Sequence, residues 1–347
     1  MMKGEDASAD RSPIPTAART RATGGGAPNL LLAGIGKAGT TSLFWHLSQH
    51  PNICASRVKE PRYFLALSEN DEGAEGVLAP LETYTALFDR CESQRYAMEA
   101  TPHYFHGGGR LIDGLKRTLP DPRIVLTLRD PVDRAWSVFT FAKGRMRLPA
   151  EMTFEEYLGK CEQLYRTDAP RPRTARAYWS IRGGVYADFL PVWFDSFSDE
   201  RLRILFFEPF VRDVAGSVRD LCAWLDIDTS CVDSFTLSAE NRSGGYRSRL
   251  LHRVALAANR EGALRNRRRL KGPLRRVYQA VNGKMLRDRM PPDARARLEE
   301  LFAPSNAVVS ALLSERGYTD LPEWLRTVSP SRREQPDPPD RSSSGRR

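Results

Sequence analysis

Four short apolar runs constrain the fold of this chain most: NLLLAGI at 29–35, YAMEA at 96–100, RIVLTLR at 123–129 and LRILFFE at 202–208. Each is short and almost continuously apolar, the pattern of a strand buried on both faces of a sheet. Segments with helical spacing lie between them. TTSLFWHLSQH follows the first run and ends at Pro51, VDRAWSVFTFAKG follows the third, and VYADFLPVWFDSF and VRDVAGSVRDLCAWLDI flank the fourth. Strands that alternate with helices need crossover connections and pair in parallel. The predicted fold class is therefore α/β, a three-layer arrangement of a central parallel sheet flanked by helices. Near the C-terminus, PPDARARLEELFAPSNAVVSALLSERG begins with prolines, sets Leu298, Leu301 and Phe302 on one face, and stops at Gly317, the pattern of a closing pair of helices.

A chain of 347 residues can bury a large core in one domain with a helical appendage. The ends differ in composition. Residues 1–28 and 328–347 are rich in Pro, Gly, Ser and charge, so both read as disordered tails around a domain at 29–327. Residues 1–28 lack the apolar stretch of a signal peptide or membrane anchor, and no apolar run is long enough to span a bilayer, so a cytoplasmic protein is expected. The five cysteines (Cys54, Cys91, Cys161, Cys222 and Cys231) are odd in number and widely spaced with no CxxC, and read as thiols in a reducing compartment. The net charge of +10 is concentrated in a basic helical segment at about 247–290. That excess favours an anionic partner, and charge alone does not choose between nucleic acid, membrane surface, nucleotide and acidic substrate.

The segment GIGKAGTTS at 34–42 joins the first strand to the first helix. A glycine-containing turn that opens a helix at Thr40 or Thr41 offers a row of free backbone N–H groups, with the positive end of the helix dipole behind them. Gly36 and Gly39 allow a close approach of the backbone, Ala38 lies between them, and Thr40, Thr41 and Ser42 add hydroxyl donors. Lys37 precedes Gly39 by two residues, out of place for a GxxxxGK[ST] nucleotide loop, and its ammonium can reach past the cradled group. Arg129 stands at the carboxyl end of the third run, where open α/β sheets bind their ligands, and Ser137 follows eight residues later. An arginine fork and a hydroxyl there suit a second phosphate. The structural alternative for Arg129 is a salt bridge with Asp130 or Asp133.

With these two sites the chain resembles the sulfotransferases that use 3′-phosphoadenosine 5′-phosphosulfate. KAGTTS at 37–42 is similar to their 5′-phosphosulfate loop, and Arg129 with Ser137 to their 3′-phosphate motif. KEPRYF at 59–64 and MEATPHYF at 98–105 look like segments of the heparan-sulfate-type branch and its bacterial relatives. The resemblance covers roughly residues 29–245, and RLEELFAPSNAVVSALLSERGYTDLPEW looks like the closing helices of bacterial members. It implies a P-loop-like fold and that cofactor as sulfuryl donor, with no metal. It implies in-line transfer to a hydroxyl or amine of a carbohydrate, lipid or secondary-metabolite acceptor. Glu60 matches the family's base, and His103 is the rival, because cytosolic members use a histidine shortly after their second strand. Arg242, Ser243, Tyr246 and Arg249 in NRSGGYRSR match a late loop that closes on the 3′-phosphate. Golgi members have a lysine where this chain has Ala100, and the aromatic that follows the loop threonines in cytosolic members is replaced by Ser42.

Transfer also needs donors around the group in flight, and Lys37, the loop amides and Thr40 or Thr41 supply them. Glu99 could orient Lys37 or the acceptor. His46 and His50 lie four apart on the first helix without a third ligand, so no metal site is expected. The tryptophans, Trp136, Trp193 and Trp224 among them, read as core. Two other functions stay open. A P-loop kinase of small molecules would need Asp130 for Mg²⁺. A module that binds nucleic acid or an anionic membrane could use the basic segment, although its aromatics are sparse and it follows no nucleic-acid motif. The favoured partner is thus a small-molecule or glycan acceptor, not nucleic acid, with peripheral membrane contact compatible with the charge.

Overall fold

The structure, a computed structural model, describes residues 26–167, 170–172, 176–237, 244–246, 283–285 and 289–326. Its strands are β1 (Leu30–Gly34), β2 (Ile53–Ala55), β3 (Tyr96–Ala100), β4 (Arg123–Leu128) and β5 (Leu202–Phe206), followed by the short β6 (Gly244–Tyr246) and β7 (Gly283–Met285). The described helices are α1 (Thr40–Leu47), α2 (Leu81–Thr85), α3 (Gly109–Thr118), α4 (Pro131–Gly144), α5 (Phe154–Arg166), α6 (Leu190–Ser196), α7 (Phe207–Arg212), α8 (Val214–Trp224) and α9 (Pro292–Glu315). The first five strands form one parallel sheet in the order β2-β3-β1-β4-β5. All four expected runs are strands. The fourth is shorter than expected, because Phe207 and Glu208 already belong to α7.

Alternation along β1 builds the layers. Leu30 and Leu32 pack with Leu43, Phe44 and Leu47 of α1 and Val218 and Leu221 of α8. Leu31 and Ala33 point the other way, into a core with Leu111 and Leu115 of α3 and Leu190 and Trp193 of α6. Period-two strands between helices bury both faces of the sheet. Each fully buried leucine contributes roughly 1.5–3 kcal/mol. A third cluster joins α4, α5 and α9 through Phe139, Tyr157 and Phe302. Because β3, β1 and β4 are parallel neighbours, their carboxyl ends lie side by side, and the chain crosses over β1 in passing from β3 to β4. That switch in strand order leaves a crevice at those ends.

Three expectations need correction. The closing helices are one 24-residue helix, α9, with Pro304 inside it. An internal proline removes a backbone hydrogen bond and costs about 3 kcal/mol, but burial of Leu298, Phe302, Val309 and Leu313 along one side offsets it. The cysteines are not all thiols: Cys54 on β2 is bonded to Cys91, 37 residues on, leaving Cys161, Cys222 and Cys231 free. Pairing of β2 with β3 brings Cys54 opposite Ala97, a relationship that the spacing of cysteines does not carry. Trp193 is buried as expected, whereas Trp45 on α1 is 46% exposed.

Candidate active site

The loop after β1 is shaped by backbone conformations that few residues tolerate. A Cβ on Gly34 would lie 2.5 Å from the Cβ of Phe105, so β1 can end there only on glycine. Lys37 (φ 74°) and Gly39 (φ 81°) are both left-handed, which folds the loop tightly before Thr40 opens α1. A non-glycine residue such as Lys37 in that region costs about 1–3 kcal/mol, a strain that concentrates at functional sites. Ala38 and Thr40 are buried, whereas Gly36, Lys37, Thr41 and Ser42 are half-buried on the open side. Gly39, the N-cap, gives no side-chain cap, so the positive end of α1 faces the crevice.

Two arginines hold the loop from behind. Arg129 Nη1 donates to the carbonyl of Lys37 at 2.9 Å, and Arg134 Nε donates to the carbonyl of Gly36 at 3.2 Å. Across the planar trans peptide, an N–H points opposite to its C=O. The Lys37 N–H therefore points away from Arg134.

The same crevice collects positive charge. The Lys37 ammonium sits 4.1 Å from the centroid of the Phe141 ring, and the Arg129 guanidinium 4.4 Å from that of Phe207. Burial, then Arg129 and Arg145, push the Lys37 ammonium down to about 8. Burial also lowers Arg129, whose Nε is buried without a hydrogen-bond partner. The alternative for Arg129, a salt bridge with Asp130 or Asp133, is not formed among the described residues. Asp130 caps α4 through the Val132 N–H at 2.8 Å, and Asp133 accepts from Arg295 at 2.5 Å. Ser137 lies half-buried on α4, four residues before Phe141 and so on the same helix face as the ring beneath Lys37. Strand β6, with Tyr246, runs beside α4. Arg242, Ser243 and Arg249 lie outside the described residues, as does most of the basic segment.

Glu60 borders the crevice at the carboxyl end of β3, where its N–H donates to the carbonyl of Ala100 at 3.0 Å. Its carboxylate meets Lys59 at 3.0 Å and Arg62 at 3.2 Å. Burial pushes Glu60 up, but the two cations outweigh it and hold the carboxyl below its ordinary value. Glu99 does not orient Lys37. Fully buried, it accepts from Tyr84 at 2.6 Å and Thr101 at 2.8 Å, and Thr101 Oγ1 accepts from the N–H of Arg62 at 3.2 Å. Glu99 thus anchors the segment that carries Glu60. His103 lies against Gly36, its Cε1 3.7 Å from where a Cβ there would stand. His46 and His50 are structural: His46 is buried, and His50 Nε2 donates to the carbonyl of Asp228 at 2.7 Å.

Residues 27–266 match the model of the sulfotransferase domain family. The chain belongs to that family. It is similar to the membrane-associated sulfotransferase kil1 of Dictyostelium discoideum, with 35% identity over 38% of this chain and 27% of that protein. It is also similar to the mouse heparan sulfate glucosamine 3-O-sulfotransferase 6, with 30% identity over 55% of this chain and 50% of that one. The chain spans half the length or less of these two relatives. Among solved structures, a sulfotransferase from Alicyclobacillus acidocaldarius aligns with a TM-score of 0.61 and 26% identity, over 87% of this chain and all of that one.

These likenesses correct the expected location. A sulfotransferase domain with a membrane-associated relative and a Cys54–Cys91 disulfide gives no basis for a cytoplasmic protein in a reducing compartment. No helix among the described residues is long and apolar enough to cross a membrane. The curated relatives named here are eukaryotic, so they do not support a bacterial-type assignment.

Sequence reasoning missed four residues of this sulfotransferase domain. Arg134 and Phe141 share α4 with Ser137, and helical spacing from Ser137 would have found Phe141. Arg171 and Asp71 carried no such signal: they pair across 100 residues, with side chains 5% and 8% exposed, in a contact that only the fold creates.

Proposed function

We propose that this chain transfers a sulfuryl group from 3′-phosphoadenosine 5′-phosphosulfate to a hydroxyl or amine of a glycan, lipid or secondary-metabolite acceptor. The observation that carries this reading is the contact between Arg129 and the Lys37 carbonyl. The arginine of the 3′-phosphate motif and the lysine of the 5′-phosphosulfate loop border one crevice, close enough for one nucleotide to engage both. The site suits such a cofactor on its own terms. Arg129 Nε is a buried donor without a partner, and Lys37 is surrounded by cations. Both features are relieved by a bound anion.

When bound, the cofactor supplies the sulfuryl group and a bisphosphate leaving group. Lys37, the amides of the first turn of α1, and Thr41 and Ser42 on its open side stabilise negative charge around the group being transferred. Thr40, 4% exposed, is a weaker candidate. Arg129, with Ser137, holds the ribose phosphate, and Tyr246 on β6 flanks the same helix. Glu60, ionised and at the crevice edge, takes the acceptor proton. A kinase is disfavoured because Asp130 already caps α4. Ala100, in place of a lysine, favours an acceptor less acidic than heparan sulfate. The test is donor labelling against a panel of hydroxyl and amine acceptors. Transfer of ³⁵S from the phosphosulfate is expected, and transfer of ³²P from γ-labelled ATP instead would replace the reading.

A further inference from the structure

His103 next to the loop is held by an unusual partner. Arg171 Nη1 lies 2.7 Å from His103 Nδ1. A guanidinium has donors only, so Nδ1 must present its lone pair, and the proton of the neutral ring is then on Nε2. Arg171 is itself fixed: its Nε donates to Asp71 Oδ1 at 2.7 Å and its Nη2 to Asp71 Oδ2, with side chains only 5% and 8% exposed. Removing one member of such a buried pair is strongly destabilising, so the arrangement persists. The Cε1 that lies beside Gly36 joins Nδ1 to Nε2, so the imidazole that carries the N–H borders the loop.

We propose that His103 serves this site as a fixed Nε2–H donor to an oxygen of the bound anionic group, not as a proton acceptor, and that Asp71 and Arg171 are positioning residues that lock this tautomer. The surroundings agree. Burial, Arg171, His106, Arg62 and Arg134 all disfavour an imidazolium and hold His103 well below its ordinary value. His106 is no counter-charge, since its Nε2 donates to the carbonyl of Gly183 at 3.0 Å. The donor role rests on the sulfuryl-transfer reading, whereas the tautomer does not.

Long-range ¹H–¹⁵N correlation spectra of the full chain, labelled at histidine and assigned by loss of the signal in His103→Gln, test the tautomer directly. Between about pH 5.5 and 8, spanning the ordinary titration of histidine, His103 should stay neutral with its proton on Nε2. Arg171→Met should release Nδ1 and let the Nδ1–H tautomer appear in the spectra. An Nδ1–H form, or an imidazolium in the unmodified chain, would overturn the proposal. For the donor role, His103→Ala should weaken binding of adenosine 3′,5′-bisphosphate about tenfold, and His103→Gln, which keeps an N–H, by no more than about threefold. Equal effects of the two substitutions would refute it. Failure of the unmodified chain to bind the bisphosphate would sink the parent reading and the donor role with it, while the tautomer would still be judged by the spectra.

Discussion

Arg129 Nη1 donates to the carbonyl oxygen of Lys37 at 2.9 Å, joining the end of β4 to the loop after β1 across 92 residues of sequence. On the proposed function the arginine has two tasks, shaping the loop and meeting an anion. Hydrogen bonds to charged groups contribute about 1.5–3 kcal/mol each. Arg129→Ala should weaken adenosine 3′,5′-bisphosphate binding by about 10- to 100-fold, and Arg129→Lys should restore little of it, because an ammonium lacks the planar fork. Calorimetric titration of the variants checks this.

Lys37 binds an anion only when protonated, and its ammonium lies at about 8 in the free protein. Below that pH the favourable charge is present, and it is lost as pH rises through it. Bisphosphate affinity should be level from about pH 6 to 7.5, then fall by up to tenfold per unit above 8 as far as the raised value in the complex. Near pH 8, binding should take up protons, seen as a dependence of the measured heat on the ionisation enthalpy of the buffer. Lys37→Met should abolish both effects.

Charge stabilisation should outweigh proton removal. A positioned base contributes about 10²–10⁴ in rate, whereas whole enzymes lower barriers by about 8–23 kcal/mol. Lys37→Ala is expected to reduce turnover at least as much as Glu60→Gln in a sulfate-transfer assay. A Lys37 variant that outperforms the Glu60 variant would contradict the assignment.

Glu99 supports the site from beneath. Its bonds to Tyr84 and Thr101 are buried, and truncation leaves both hydroxyls without their acceptor. Glu99→Ala should lower stability by about 2–4 kcal/mol and Tyr84→Phe by about 1–2 kcal/mol in urea unfolding. Loss of activity in Tyr84→Phe at full stability would show that the network also places Glu60.

The parts of this molecule legible in the sequence are those written locally. The loop at 36–42 and the arginine at the end of β4 depend on residue types at short spacing, and the four aliphatic runs depend on continuous burial. β2 escaped because three residues carry no period. Arg134 escaped because a buried arginine and a surface arginine on a helix look alike until their partners are known. The Asp71–Arg171–His103 chain and the Cys54–Cys91 bond join segments that only the topology brings together. The expected closing pair is one helix, because the buried side of α9 runs on through Pro304.

Calorimetry with adenosine 3′,5′-bisphosphate against ATP and AMP, with and without Mg²⁺, tests the central claim most directly, because it needs no acceptor. Preferential binding of the bisphosphate, unchanged by Mg²⁺, is the predicted result. Tighter, Mg²⁺-dependent binding of ATP would contradict the account.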